Sequence, residues 1–286
     1  PPPPPFFFHA QPGIRAPLWS RGLGDVYKRQ AQSYFNKFIE INCCNTFDDL
    51  VSSIVKNHSN HGVMAIENSI AGSIIPNYAL IDKNNLQIVG EYYYQIEHSL
   101  LALPNQDMAS INEVHSHPMA LLQCKDFFLR YPNIKLVESS DTANSAKEIS
   151  ENKLLKIAAI ASKKAALLYD LDIIQESIQT IKNNVTRFVI VQKQSHLNKS
   201  NYDKAALKFI LDHKRGSLAT VLNVMSDCKL NLTKIQSLPI IETPGKYSFF
   251  VDVTFESPSY FEKAQSILKI MALELKVLGK FINGKD

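Results

Sequence analysis

The chain has 286 residues, 45% hydrophobic and 20% charged, ordinary globular composition with length for two domains. Its formal net charge of +4 is concentrated at the start, where Arg15, Arg21, Lys28 and Arg29 face one acid, Asp25, so the rest is near neutral and charge gives no argument for nucleic-acid binding. No apolar run approaches the roughly 20 residues that cross a bilayer, no signal-peptide pattern opens the chain, and Cys43, Cys44, Cys124 and Cys228 have neither zinc spacing nor a disulfide framework; a cytoplasmic protein with reduced thiols and no membrane contact is expected.

Residues 1–30 hold seven of the 14 prolines and the single Trp, without apolar periodicity. "SRGLGDVYKRQ" looks like adaptor-derived sequence, so residues 1–30 are read as a non-native or disordered leader that carries no element. A helix follows over "NTFDDLVSSIVKN", with Thr46 as N-cap, Asp48 and Asp49 in its first turn, and Phe47, Leu50, Val51, Ile54 and Val55 at helical spacing. The strand "GVMAI" ends in Glu67, Asn68 and Ser69; a helix from about Ser73 to Ile81 contains Pro76; "LQIVGEYYY" and "IEHSLLAL" are strands. Three strand-then-helix units come next: "EVHS" with "HPMALLQCKDFFLRY", "IKLVES" with "DTANSAKEISEN", and "IAAIA" with "SKKAALLYDL". This alternation implies an α/β domain with largely parallel sheets. After the apolar strand of "NNVTRFVIV" and a polar linker at 195–203, the order βαββαβ over 204–286, with a Pro-Gly turn in its central hairpin, predicts a ferredoxin-like second domain.

Polar residues gather at the strand-to-helix corners: Glu67, Asn68 and Ser69; Ser116 and His117; Ser140, Asp141 and Thr142; Ser162. In parallel sheets such corners share the carboxyl edge where ligands bind, and helix N-termini there favour anions. Each alone reads equally well as a helix cap. No G-x-G-x-x-G turn, P-loop or nucleophile elbow occurs, and the histidine pairs 58/61 and 115/117 lack companion ligands, so neither cofactor nor metal is expected. "NNVTRF" places Thr186, a possible proton donor, beside Arg187, a two-pronged carboxylate binder. Neighbours in a strand point to opposite faces, so from the hexapeptide alone Thr as a strand former and Arg as a surface partner is the favoured reading of that pair.

"MAIENSIAGSI", "IEHSLLAL", "VHSHPMALLQC", "SSDTANSAKEI", "IQTIKNNVTRFVIV", "GSLATVL" and "NLTKIQSLP" occur in the order and near the spacing of prephenate dehydratases, which the chain resembles from about Ala31 to Ile282. The resemblance implies a two-lobed catalytic domain at 31–194, like a type II periplasmic binding protein, and an ACT regulatory domain at 204–286. It implies conversion of prephenate to phenylpyruvate without a cofactor, regulation by L-phenylalanine, and a homodimer or homotetramer. Under it Thr186 assists departure of the hydroxyl, Arg187 orients a carboxylate, and Asn68 and Gln123 bond substrate. Glu67, Ser69, Ser116, His117 and Thr142 become further pocket candidates, and His98 a satisfied hinge residue. The allosteric candidates are Gly216, Ser217, Leu218 and Ala219, with Gln236, Ser237, Leu238 and Pro239. Two departures stand out. The leader replaces the family's first strand and its "GxxGSF" turn, and Gln236 and Leu238 stand where the family's regulatory Glu-Ser-Arg-Pro has charges. The alternatives are a non-catalytic aromatic-acid sensor and an ACT-regulated phosphoribosyltransferase of the same build, which should carry a phosphoribosyl loop not found here.

Overall fold

A computed structural model describes residues 6–9, 40–44, 46–70, 72–194, 201–240, 243 and 245–285. In chain order the elements are β1 (Phe6–His9), β2 (Glu40–Cys43), α1 (Phe47–Val55), β3 (His61–Asn68), β4 (Gly72–Ser73), α2 (Ile75–Lys83), β5 (Leu86–Gln95), β6 (Ser99–Ala102) and β7 (Glu113–Ser116). Then come α3 (Pro118–Gln123), α4 (Lys125–Phe128), β8 (Lys135–Glu138), α5 (Thr142–Glu151), β9 (Ile157–Ala161), α6 (Lys163–Tyr169), β10 (Asp172–Gln175) and β11 (Val185–Lys193). The chain finishes with β12 (Lys204–Ile210), α7 (Ser217–Asp227), β13 (Asn231–Pro239), β14 (Tyr247–Thr254), α8 (Pro258–Met271) and β15 (Glu274–Phe281).

Contacts divide the chain into two compact units: one of residues 1–46, 68–72 and 94–186, the other of 47–67, 73–93 and 187–286. The cut differs from the expected boundary near residue 200, since 31–194 contributes to both units. The reason lies in the second unit: β15 pairs in parallel with β5 at Gly279 and Ile88, so the C-terminal segment and β5 share one sheet. A Cβ at Gly279 would lie 2.2 Å from the Ile88 carbonyl oxygen, so only glycine lets the two strands approach this closely.

In the first unit, five strands form one sheet in the order β10-β6-β9-β7-β8. Its centre follows the period-two rule of strands. Leu100, Ala102, Ala158 and Ile160 pack on one face with Ala120, Leu121, Cys124 and Phe128 of the α3–α4 segment. Leu101, Ala159 and Ala161 face the other way, against Ala146 and Ile149 of α5 and Ala165 and Ala166 of α6. Helices thus cover both faces, as expected of an α/β layer. The sheet is less parallel than predicted: β9, β7 and β8 are parallel, while β6 and β10 join antiparallel. β10 was not foreseen, its residues following directly on the predicted helix "SKKAALLYDL". The helix predicted over 117–131 is interrupted at Cys124, which has φ −104° and ψ 4°.

The leader was expected to hold no element, yet Phe6–His9 form a strand antiparallel to Glu40–Cys43. Three successive phenylalanines suit a pleated strand, and that propensity was missed beside the proline run. Residues 10–39, where the family's first strand and turn were sought, lie outside the described residues, as does most of the linker, 195–200.

In the second unit the strands run β13-β14-β12-β15-β5-β11-β3. The last four in sequence behave as predicted: β12 lies antiparallel to both β14 and β15, and β14 to β13, which with α7 and α8 makes the ferredoxin-like βαββαβ arrangement. Its core includes Leu207, Phe209, Val221, Met225, Val253, Phe261 and Leu268. In α1, Phe47, Leu50, Val51 and Ile54 are buried as their spacing foretold. α2 starts at Ile75 with Pro76 in its first turn, where a missing N–H breaks no helical bond.

Candidate functional site

The first unit gathers a chain of amides around Thr186. Its polarity is set by one backbone group: the N–H of Ile70 donates to Asn68 Oδ1 at 3.0 Å, which turns the Asn68 amide nitrogen the other way. That nitrogen donates to Thr186 Oγ1 at 3.0 Å and to Asn184 Oδ1 at 2.7 Å. Asn184 Nδ2 in turn donates to Gln123 Oε1 at 3.1 Å, and His98 Nε2 lies 2.9 Å from the same oxygen. Burial lowers the His98 pKa, against the Gln123 hydrogen bond that raises it. The imidazole is therefore assigned as neutral with its proton on Nε2, donating to Gln123.

Two valences follow from this count. Thr186 Oγ accepts from Asn68, so its own proton is directed elsewhere. Gln123 Oε1 has two donors, while its NH₂ group has no hydrogen-bond partner among the described residues. Thr186 is 8% exposed and Asn184 1%, while Asn68 and Gln123 are half-buried, so the hydrogen bonds at Asn184 and Thr186 are strengthened by the low local polarity. A hydroxyl proton and amide N–H groups without a partner among the described residues can stabilise negative charge developing on a departing oxygen.

The backbone around Thr186 is pinned by Ser69. Its N–H donates to the Val185 carbonyl at 2.9 Å, its Oγ accepts from the Val185 N–H at 2.9 Å, and its hydroxyl donates to the Asn183 carbonyl at 3.0 Å. Ser69, expected to face a ligand, instead fastens the segment that carries Thr186. Ser116 also departs from expectation: it is fully buried, and its hydroxyl donates to the Ile160 carbonyl at 2.7 Å, tying β7 to β9. His117 N-caps α3, Nδ1 accepting from the Met119 N–H at 3.2 Å, while its Nε2 is buried without a partner among the described residues. Its pKa is lowered, chiefly by burial. Thr142 opens α5 next to the capping Asp141, whose carboxylate accepts from Ala143 and Asn144. Ser162 caps α6. Asp141 and Ser162 are thus helix caps, as the plainer reading allowed.

Arg187 belongs to a different constellation, in the second unit. It is 5% exposed, with Nε donating to Glu91 Oε2 at 2.7 Å and Nη1 to Asp252. Lys204 Nζ shares Glu91 at 2.8 and 3.0 Å, and the Gly284 N–H reaches Glu91 Oε1 at 2.9 Å. Burial works against the guanidinium charge, but Asp252 and Glu91 overcome it and hold the Arg187 pKa raised; burial, with the Arg187 charge, lowers that of Lys204. Arg187 was expected to grip a substrate carboxylate; in this structure the carboxylates of Glu91 and Asp252 engage its buried charge. Glu67 likewise pairs with Lys234 at 2.9 Å in this unit.

In the ferredoxin-like segment, a cavity of about 110 Å³ is lined by Leu211, Asp212, His213, Lys214, Ser217, Leu218, Lys246, Tyr247 and Phe249, with Gly245. Gly216, at φ +85°, takes the left-handed turn that starts α7 beside it. Of the allosteric candidates, Ser217 and Leu218 line this cavity, whereas Gly216, Ala219, Gln236, Ser237, Leu238 and Pro239 do not.

Asn184, Glu91 and Asp252 were missed in the sequence. Asn184 was legible, since it stands two residues before Thr186 and so on the same side of an extended segment. Glu91 and Asp252 stand inside strand patterns, where only an acid at an apolar position gave a sign.

A family model described as prephenate dehydratase matches residues 25–196. The prephenate dehydratase of Methanocaldococcus jannaschii is 33% identical over 267 residues, which is 90% of this chain and 94% of that protein. A bifunctional chorismate mutase/prephenate dehydratase of Buchnera aphidicola is 30% identical over 90% of this chain, which spans 67% of its length. The solved prephenate dehydratase of Arthrobacter aurescens, in complex with L-Phe, superposes with a TM-score of 0.74 at 25% identity, covering 84% of this chain and 80% of that one. A structure described as GqqA, a novel type of quorum quenching acylase, also gives 0.74 at 26% identity over 83% and 87% of the two chains.

Proposed function

This chain belongs to the prephenate dehydratase family and is a carbon–oxygen lyase, and on that premise we propose that it converts prephenate to phenylpyruvate with loss of carbon dioxide and water. The observation that carries the reading is the Thr186 hydroxyl, whose oxygen accepts from Asn68 so that its proton is left for another acceptor. As the C–C bond to the departing carboxylate breaks, its electron pair aromatises the ring and expels the ring hydroxyl. Thr186 donates to that oxygen, which leaves as water, and solvent restores the threonine proton. Asn68 holds Thr186, and the N–H groups of Gln123 bond substrate oxygens; aromatisation supplies the driving force, so orientation and charge stabilisation suffice.

L-phenylalanine as an allosteric ligand suits the cavity by the ferredoxin-like helix α7. Asp212 and Lys214, an exposed ion pair at 2.5 Å that a zwitterion can exchange into, and Lys246 offer both charges, while Leu218, Tyr247 and Phe249 offer apolar surface to its ring. The ferredoxin-like segment is then an ACT domain, and assembly into a homodimer or homotetramer accompanies it. The proposed site residues are thus Thr186, Asn68 and Gln123, with His117 and Thr142 near the corners. The test is phenylpyruvate formation from prephenate by the purified chain, followed by ultraviolet absorbance, with and without L-phenylalanine. Product formation suppressed by L-phenylalanine is expected. Prephenate binding, seen as a thermal shift, without product would sink the enzyme reading in favour of a sensor.

A further inference from the structure

The geometry points to Asn184 as a positioning residue for this reaction, one that sets the donor and acceptor sense of Gln123 and fixes Asn68; the inference rests on the dehydratase reading above. Asn184 never needs to touch substrate. It is 1% exposed, and both ends of its amide are engaged inside the protein: Oδ1 accepts from Asn68 at 2.7 Å and Nδ2 donates to Gln123 Oε1 at 3.1 Å. Its own backbone carbonyl accepts from the Ile96 N–H at 2.6 Å, so it is held at both levels.

Hydrogen-bond parity fixes the sense of each amide in the chain. Asn68 cannot turn over, because Ile70 N–H requires Oδ1 where it is. The group of Asn184 that meets the Asn68 NH₂ must therefore be its oxygen, which leaves its nitrogen facing Gln123. Gln123 must answer with Oε1, so its NH₂ is directed away, as a donor for a substrate oxygen. The His98 contact reinforces that choice but does not create it, since a neutral imidazole can present either a donor or an acceptor. Asn184 is the link that transmits the sense fixed at Ile70 to Gln123. An apolar residue there would break the link, and a carboxylate would reverse it: Asp at 184 still accepts from Asn68 but draws the Gln123 NH₂ inward as donor.

The test is Asn184→Asp, which keeps the side-chain volume, assayed for phenylpyruvate from prephenate across pH 6 to 8 beside the unsubstituted protein. At pH 8 the variant is expected to lose about 10- to 100-fold in kcat/KM, the scale of a misdirected substrate group. As pH falls and the buried acid takes up a proton, its O–H replaces the lost donor toward Gln123, and kcat/KM is expected to recover relative to the unsubstituted protein. In a Gln123→Ala background, Asn184→Asp should cause no more than about threefold further loss, because the two act as one unit. Recovery together with that non-additivity supports the assignment. No loss at pH 8, a loss equal at both pH values, or a fully multiplicative loss with Gln123→Ala overturns it while leaving the dehydratase reading intact. No product from the unsubstituted chain overturns that reading and the inference with it.

Discussion

Neutralising Glu91 tests the ion-pair network that joins β5, β11, β12 and β14. The Glu91 side chain is fully buried and accepts from Arg187, Lys204 and the Gly284 N–H. Two cations, Arg187 and Lys204, are balanced by two anions, Glu91 and Asp252, so Glu91→Gln leaves one positive charge buried without a partner. Breaking a buried pair from one side costs about 3–5 kcal/mol. Equilibrium urea unfolding followed by circular dichroism should therefore show a stability loss of that size. Adding Lys204→Met restores charge parity, and the double variant should regain about 1–2 kcal/mol, within the usual range of coupling between contacting residues. A loss under about 1 kcal/mol for Glu91→Gln, or a double variant no better than the sum of its singles, would refute the reasoning.

Three other outcomes follow from particular contacts. Gly279→Ala drives a methyl into the Ile88 carbonyl, so stability should fall by at least about 1–3 kcal/mol and amide exchange along β5 should rise; an unchanged melting temperature counts against the pairing. Burial tends to raise the Asp82 pKa, but the hydrogen bonds and charges of Lys208 and Lys276 outweigh it and hold it lowered. Its contribution is then complete above the unfolded carboxyl value, roughly pH 3.9, and is lost as pH falls through the lower folded value. Asp82→Asn should flatten the acid limb of the stability curve, and a limb of unchanged slope would contradict the assignment. If L-phenylalanine binds beside α7 as proposed, Asp212→Asn should weaken it about tenfold in calorimetry, the scale of one charge-assisted hydrogen bond lost; unchanged affinity would place the ligand elsewhere.

Much of the architecture was open to inspection in the residues. Phe47, Leu50, Val51 and Ile54 mark one helical face, and the βαββαβ order from Lys204 onward reappears as paired strands. Other features were hidden because they depend on partners distant in sequence. Arg187 reads as a ligand binder until Glu91 and Asp252, far away in the chain, are seen beside it. Ser69 and Ser116 have the chemistry of a pocket, but only the fold shows that backbone carbonyls claim their hydroxyls. The Phe6–His9 strand was obscured by the proline run before it, and β10 by the predicted helix it directly follows. Asn68, Gln123 and Thr186 lie far apart in sequence, and their convergence through Asn184 is a property of the fold.

The central claim is that the proton of Thr186 assists the departing oxygen, and steady-state turnover of prephenate by Thr186→Val and Thr186→Ser tests it most directly. Valine keeps the shape and removes the hydroxyl; serine keeps the hydroxyl that Asn68 holds. The account predicts that Thr186→Val lowers kcat by about 10²- to 10⁴-fold, the range for losing a positioned proton donor, while Thr186→Ser stays within about tenfold of the unsubstituted protein. Equal activity of the valine and serine variants would contradict it.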